Sequence, residues 1–273
     1  ANFMHDGKFW IARFPAEPVA AVIFQKWDFG ESRLRLGLGG RSLLDFEIFH
    51  VAHTELRFRL KPGRCVVLYA QESPGAPPAG KVDDLVCSVE AVGPAGTQFS
   101  VLGALANHFV AVRRFKSLQE SFYERVIKER RVIEQWELAL SEEKRQELLR
   151  RAIRLSHEDG IARLYHMFLN SCTTAAFQLI DSVMDYGIRQ WRTVFQRIPH
   201  FPEAYLWARR LLKPNGASRM PSLNDEKNAW KQDEALRRRF YDYRESTREE
   251  RAAARADRRG KIAGRRRFGY PPA

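Results

Sequence analysis

Six runs rich in β-branched and aromatic residues, at 19–24, 33–38, 43–49, 55–60, 65–70 and 85–91, precede any strong helical signal. That order constrains the fold more than any other feature of the chain. Gly39-Gly40, Pro62-Gly63 and the 73–80 stretch punctuate the runs. A further strand is expected at 108–113, residues 117–130 turn helical, and 132–138 reads as strand. Ser141 then offers an N-cap, Glu142 and Glu143 suit the positive end of a helix dipole, and Leu148, Leu149, Ala152, Ile153 and Leu155 form an apolar stripe. Strands first and helices later predict an α+β protein, an antiparallel sheet packed on helices, rather than alternating βαβ units.

At 273 residues and 44% hydrophobic content the chain has enough apolar material for a core and is no disordered polymer. Its net charge of +13 favours anionic partners such as phospholipid head groups or nucleic acid. The charge is uneven: residues 226–273 carry 15 Lys and Arg against 8 Asp and Glu. Helix-breaking residues cluster at Lys213-Pro214-Asn215-Gly216, so 1–212 reads as the folded domain and 213–273 as a basic tail, helical over 233–259. No run approaches the roughly 18 apolar residues that span a bilayer. The chain opens at Ala1 with neither a methionine nor a leader pattern, so its N-terminus does not disclose a compartment. Three cysteines, Cys65, Cys87 and Cys172, are an odd number and leave at least one thiol outside any framework of internal disulfides.

Of these thiols Cys172 has the most suggestive surroundings. Ala175, Ala176, Leu179, Ile180 and Val183 follow it at i+3, i+4, i+7, i+8 and i+11, so it opens a helix with its side chain on the core-facing stripe. Asn170 or Ser171 can cap that helix. The first-turn amides, Thr173 among them, would then favour thiolate over thiol and could donate to an oxyanion. A small thiol under a sheet can equally be packing alone. A nucleophile also needs a base, and His50 and His53 are the best-placed histidines. Strand alternation puts them on opposite faces, so at most one can face the thiol. Glu90, at the end of the 85–89 strand, could orient an imidazole. No Cys or His cluster has metal-ligand spacing, and no cofactor is expected.

Taken together, His53-Thr54 with Arg57-Phe58, then Cys87-Ser88-Val89-Glu90-Ala91, then residues 165–174 ending Asn170-Ser171-Cys172-Thr173-Thr174, resemble the Lnb N-terminal periplasmic domain family in order along the chain. Ser171 stands where that family usually shows a second Asn. The resemblance covers roughly residues 8–210. It implies a circularly permuted NlpC/P60, papain-like core, with the histidine strand ahead of the cysteine helix. It also implies a periplasmic protein associated with the inner membrane, working in lipoprotein maturation. On that likeness Cys172 would be the nucleophile, His53 the general base and Glu90 its orienting group. The implied reaction moves an acyl chain from a membrane phospholipid, through a thioester, to an amine acceptor such as a lipoprotein N-terminus.

Chemistry on a phospholipid requires contact with an anionic bilayer. Trp191, Arg192, Phe195 and Trp207, in a stretch where arginines and aromatics interleave, are the candidate membrane-facing residues. A papain-like amidase or peptidase acting on peptide or cell-wall substrates is the alternative enzyme. A non-catalytic basic module binding membrane or nucleic acid ranks below both, because no RNA-reading or zinc-finger pattern accompanies the charge. Gly37-Leu38-Gly39-Gly40 lacks the lysine of a phosphate-binding loop and reads better as a hairpin turn.

Overall fold

The structure, a computed structural model, describes residues 2–38, 41–71, 77–94, 96–97, 103–104, 106–158, 163–166, 169–186, 202–226, 234, 236–243 and 245–249, with the side chains of 2, 29–51, 202 and 215 left aside. It divides into two compact units, Ala1–Glu226 and Lys227–Ala273. In the second unit the described residues 236–243 and 245–249 are helical.

The first unit is mixed α+β, built on one large sheet. Its strands are β1 (Asn2–His5), β2 (Lys8–Arg13), β3 (Val19–Leu38), β4 (Arg41–Leu60), β5 (Val66–Tyr69), β6 (Gly80–Val82), β7 (Asp84–Val92), β8 (Phe109–Ser117), β9 (Glu134–Glu137), β10 (Leu164–Tyr165) and β11 (Arg219–Met220). They run in the order β11-β9-β3-β4-β7-β8-β1-β2-β5-β6, with β10 on β8. All pair antiparallel except β1 with β8. The runs at 19–24 and 33–38 prove to be one 20-residue strand, and those at 43–49 and 55–60 another. Bulges at Asp28/Glu31 and Ser32/Arg33 shift the register, which blurs the two-residue period on which the separate runs were drawn. β1 and β2, absent from the sequence reading, join through Asp6-Gly7, both at positive φ. That is the two-residue turn whose twist suits a hairpin.

Helices cover both faces. α1 (Leu118–Phe122), capped by the Ser117 hydroxyl, continues as a π-helical turn over Tyr123–Lys128. α2 (Glu142–Glu158) starts after Ser141, whose hydroxyl accepts from the Lys144 amide, and α3 (Cys172–Val183) starts after Ser171. α4 (Pro202–Ala208) and α5 (Leu223–Glu226) follow. One sheet face is apolar. There Phe24, Leu56, Phe58 and Cys87 meet Leu148, Leu149 and Ala152 of α2 and Phe177, Leu179 and Ile180 of α3. Burial of such side chains at roughly 1.5–3 kcal/mol each is the main driving force holding the helices to the sheet.

The opposite face is polar and equally buried. Antiparallel register places Gln25 beside Glu55 and Gln135, Trp27 beside His53, Glu55 beside Ser88, and Val86 between Arg57 and Lys116. Arg57, 1% exposed, anchors this layer: its guanidinium donates to both oxygens of Asp84, both oxygens of Glu226, and Gln135 Oε1 at 2.8 Å. Glu226 belongs to α5, and β11 pairs with β9, so the compact unit continues to Glu226 rather than ending at the Lys213–Gly216 break. Residues 213–226 supply a strand and an ion-pair partner that their helix-breaking sequence conceals.

Burial pushes the Glu226 carboxyl up, but the Arg57 hydrogen bonds and charge, with the Gln135 amide, outweigh it and hold the group at about 2. Its stabilising contribution is therefore complete above the ordinary carboxylate range and is lost as the pH falls through about 2. Replacing Arg57 by Met leaves two carboxylates without their cation. The expected loss in unfolding free energy is about 3–5 kcal/mol, read from the denaturant midpoint at neutral pH.

Candidate functional site

β4 and β7 pair only as far as Glu55 and Ser88, whereas β7 stays with β8 out to Val92 and Val110. Past Glu55, then, β4 has lost its neighbour. Main-chain groups on a strand address the same side at every second residue. Thr54 N–H and Ala52 C=O therefore face the opening as the next rungs of the ladder. The sulfur of Cys172 fills that place: it lies 3.9 Å from the Ala52 carbonyl oxygen, and the Thr54 amide donates to it. The Thr54 and Thr173 hydroxyls meet at 3.3 Å and fasten the helix start to the strand.

Local sequence explains why α3 begins there. Ser171 is extended, its hydroxyl accepts from the Thr174 amide, and the Thr174 hydroxyl accepts from the Ser171 amide, a reciprocal cap that satisfies two otherwise orphaned donors. Asn170, the other candidate cap, is used differently: its side-chain amide donates to Leu164 O at 2.8 Å and its backbone pairs with His166. Helix geometry leaves the Cys172 and Thr173 amides outside the helical ladder, on the positive end of the dipole.

The sheet opening solves a geometric difficulty. Thr54 and Leu56 point to the helix side, so His53 points to the polar side, and a sulfur lying over the apolar face would be out of its reach. Because the sulfur sits at the level of the strand itself, His53 and Cys172 form a side-chain hydrogen bond. Tyr165 Oη donates to the sulfur at 3.8 Å. Burial pushes the Cys172 thiol up, but the His53 charge and hydrogen bond, the Thr54 amide and the Tyr165 hydroxyl draw it down to about 7. Burial likewise pulls the His53 imidazole down, yet Cys172 and Glu90 more than offset this and raise it above its usual value. Both shifts favour the charged forms, thiolate and imidazolium, relative to the free side chains.

His53 is itself held by a closed ring of contacts. Its imidazole stacks on Trp27 at 4.3 Å between centroids, the Arg125 guanidinium lies over the Trp27 ring at 5.0 Å, Arg125 donates to both Glu90 oxygens at 3.0 and 3.1 Å, and Glu90 Oε1 is 4.0 Å from His53 Nε2. Burial pushes the Glu90 carboxyl up, but the charges of Lys116, His53 and Arg125 and the Ser88 hydroxyl, 2.6 Å away, keep it well below the ordinary carboxylate range. Glu55 stands next to this group, fully buried, with the Ser121 hydroxyl at 3.0 Å, and burial raises its carboxyl. Arg125 comes from the π-helical turn, a rare geometry that recurs at functional sites.

The structure thus gathers Cys172, His53, Glu90, Ser171 and Thr173, and directs Asn170 away from the cap. Tyr165, Trp27, Arg125 and Lys116 were missed from sequence. Tyr165 lies inside the motif quoted for Cys172, and Trp27 is the cross-strand partner of His53, which only the register discloses. Trp207 is 73% exposed on α4, whereas Trp191, Arg192 and Phe195 lie outside the described residues. Arg209, two residues after Trp207, is buried, paired with Asp181 at 2.9 Å and stacked on Phe177. Among the described residues no group of three or more His, Cys, Asp or Glu could hold a metal ion.

Residues 76–203 match the model of the Lnb N-terminal periplasmic domain family. The Lnb match spans just under half of the chain and contains Glu90, Tyr165 and Cys172, while Trp27 and His53 come from the strand pair before it. No curated protein and no solved structure matches the chain. The Lnb family is described as a periplasmic domain, and no helix among the described residues is long and apolar enough to cross a membrane.

Alkylation of Cys172 by iodoacetamide, followed by peptide mass spectrometry, is expected to rise with pH through a midpoint of about 7. His53→Ala and Tyr165→Phe each remove a group that favours the thiolate and are expected to move that midpoint upward. Cys87 is the internal control: burial pushes its thiol up to about 11, so it stays unlabelled across the same range.

Proposed function

We propose that this protein is a thiol-dependent acyltransferase in which Cys172 takes an acyl chain from a membrane phospholipid and passes it to an amine, the N-terminus of a bacterial lipoprotein. The observation that carries this reading is the meeting of the Cys172 sulfur with the His53 imidazole in the gap between β4 and β7, where the thiol is drawn down to about 7. The chain order of His53, Glu90 and Cys172 supports a circularly permuted NlpC/P60, papain-like core. The periplasmic description of the family supports work at the outer surface of the inner membrane.

In the first half-reaction the thiolate attacks the ester carbonyl carbon, and the carbonyl oxygen takes the negative charge beside the Cys172 and Thr173 amides. Collapse breaks the bond to the glycerol oxygen, which takes the proton from the His53 imidazolium. Lysophospholipid leaves, and the acyl chain stays on Cys172 as a thioester. The acceptor amine then attacks that carbonyl, neutral His53 takes the amine proton, and the carbon–sulfur bond breaks to regenerate the thiolate beside an imidazolium. Glu90 keeps the ring oriented and stabilises its charged form through both halves.

The crevice beside Cys172 has a volume of about 10 Å³ and a mixed lining, with Thr54, Ser88 and Arg113 beside Leu56, Cys87, Val89, Ala176 and Leu179, so the preference for an acyl chain rests on the likeness to the Lnb family rather than on this crevice.

The test uses phospholipid labelled in its acyl chains. The expected result is hydroxylamine-sensitive label on Cys172, absent in Cys172→Ala and formed at least about 100-fold more slowly in His53→Ala. Release of free fatty acid or cleavage of a peptide substrate, with no acylated amine product, would assign the site to hydrolysis. Wild-type protein that takes no label on Cys172 between about pH 6 and 9 would remove the reading.

A further inference from the structure

A second cavity, of about 650 Å³, opens where α4 and the turn after it meet the β9–β11 edge of the sheet. It shares no lining residue with the crevice at Cys172. Its size falls within the range of small-ligand sites. Arg210, Lys213 and Arg219 line it against a single acid, Glu203, and the rings of Trp136 and Trp207 form its walls.

Three separate observations make this more than a charged hollow. Trp136 is 3% exposed, and its indole N–H has no acceptor among the described residues. A buried donor left without a partner is costly and infrequent in folded proteins. Second, Arg210 holds a left-handed backbone at φ 56°, at the end of α4, where glycine or asparagine is the usual choice. The turn is closed by backbone bonds from Arg210 N–H to Trp207 O and from Leu211 N–H to Leu206 O, but the Arg210 side chain forms no ion pair or hydrogen bond among the described residues. Third, Trp207 leaves its ring 73% exposed at the mouth. Lys213 and Arg219 are tied to Glu137 at 3.0 Å and Glu134 at 3.5 Å, in exposed pairs that a stronger anion can displace.

From these groups we infer a binding site for a phosphate group, with Arg210 as its principal ligand, Lys213, Arg219 and the Trp136 N–H as further donors, and Trp207 as the apolar shoulder for whatever carries the phosphate. Two guanidinium forks and an ammonium converging on one hollow suit a tetrahedral oxyanion better than a neutral ligand. The site is independent of the thiol chemistry at Cys172. Its phosphate could come from a soluble monoester or from a phospholipid head group.

The full chain is titrated calorimetrically with inorganic phosphate and glycerol phosphate, and co-sedimented with vesicles of phosphatidylglycerol or of phosphatidylcholine alone. Saturable binding is expected, weakened about tenfold or more by Arg210→Gly and also weakened by Trp136→Phe. Glycine suits the backbone at 210, so Arg210→Gly should hold or raise the thermal midpoint, and a loss of binding then reports the missing guanidinium. Binding of the soluble probes identifies a free phosphate ligand, and binding of phosphatidylglycerol vesicles alone identifies a head group. Cys172→Ala should bind as the wild type does. If neither soluble phosphate nor anionic vesicles bind, or if both variants bind like the wild type, the inference fails.

Discussion

The structure turns on the place where β7 leaves β4. Up to Glu55 and Ser88 the two strands satisfy each other, and beyond that point a main-chain donor and acceptor on β4 need another partner. Buried backbone groups seldom go unpaired, so something polar had to enter the gap. What enters is the Cys172 sulfur, brought by a helix whose cap, Ser171 with Thr174, is written in its first residues. The same departure of β7 brings a histidine from one face of the sheet to a thiol delivered from the other.

Around that gap the protein maintains an unusual buried layer of charge. Arg57 binds Asp84 and Glu226, Lys116 lies between Glu90 and Glu124, and Arg125 spans Glu90 and the Trp27 ring. Each cation has at least one carboxylate, as charges taken out of water require. Cover comes from α1, the π-helical turn and α5, which makes residues 117–128 and 219–226 parts of the site's scaffold rather than connections. The layer keeps Glu90 ionised and His53 fixed in a low-dielectric setting, where both effects are strongest.

Much of this was legible in the sequence, and the rest was hidden for definite reasons. Cys172 followed by Ala175, Ala176, Leu179 and Ile180 announced a helix and its buried face, and Ser141 with Glu142 and Glu143 announced another. Residue by residue, Cys172 and Glu90 stood beside both His50 and His53, and only the likeness to a family chose His53, since no spacing rule links residues so far apart. Period-two reasoning reaches only part of this arrangement. His53, Glu55 and Arg57 alternate with Thr54, Leu56 and Phe58, a pattern that ordinarily marks a solvated face, and here the polar set is as buried as the apolar one. The covering helix sits more than sixty residues away in the chain, and alternation carries no information about it. Trp27 and Arg125 escaped notice for a related cause: each matters through a partner that only register or a π turn places beside it.

One consequence concerns durability. Cys87 borders the same crevice as Cys172, and two neighbouring thiols in an oxidising compartment are ordinarily candidates to seal one another as a disulfide. Exchange of that kind starts from a deprotonated sulfur. Cys87 is held at about 11 by its burial, so it stays inert while its neighbour ionises. The fold thereby separates two sulfurs that border one crevice by acidity alone, so that between about pH 7 and 11 a thiol reagent tells them apart.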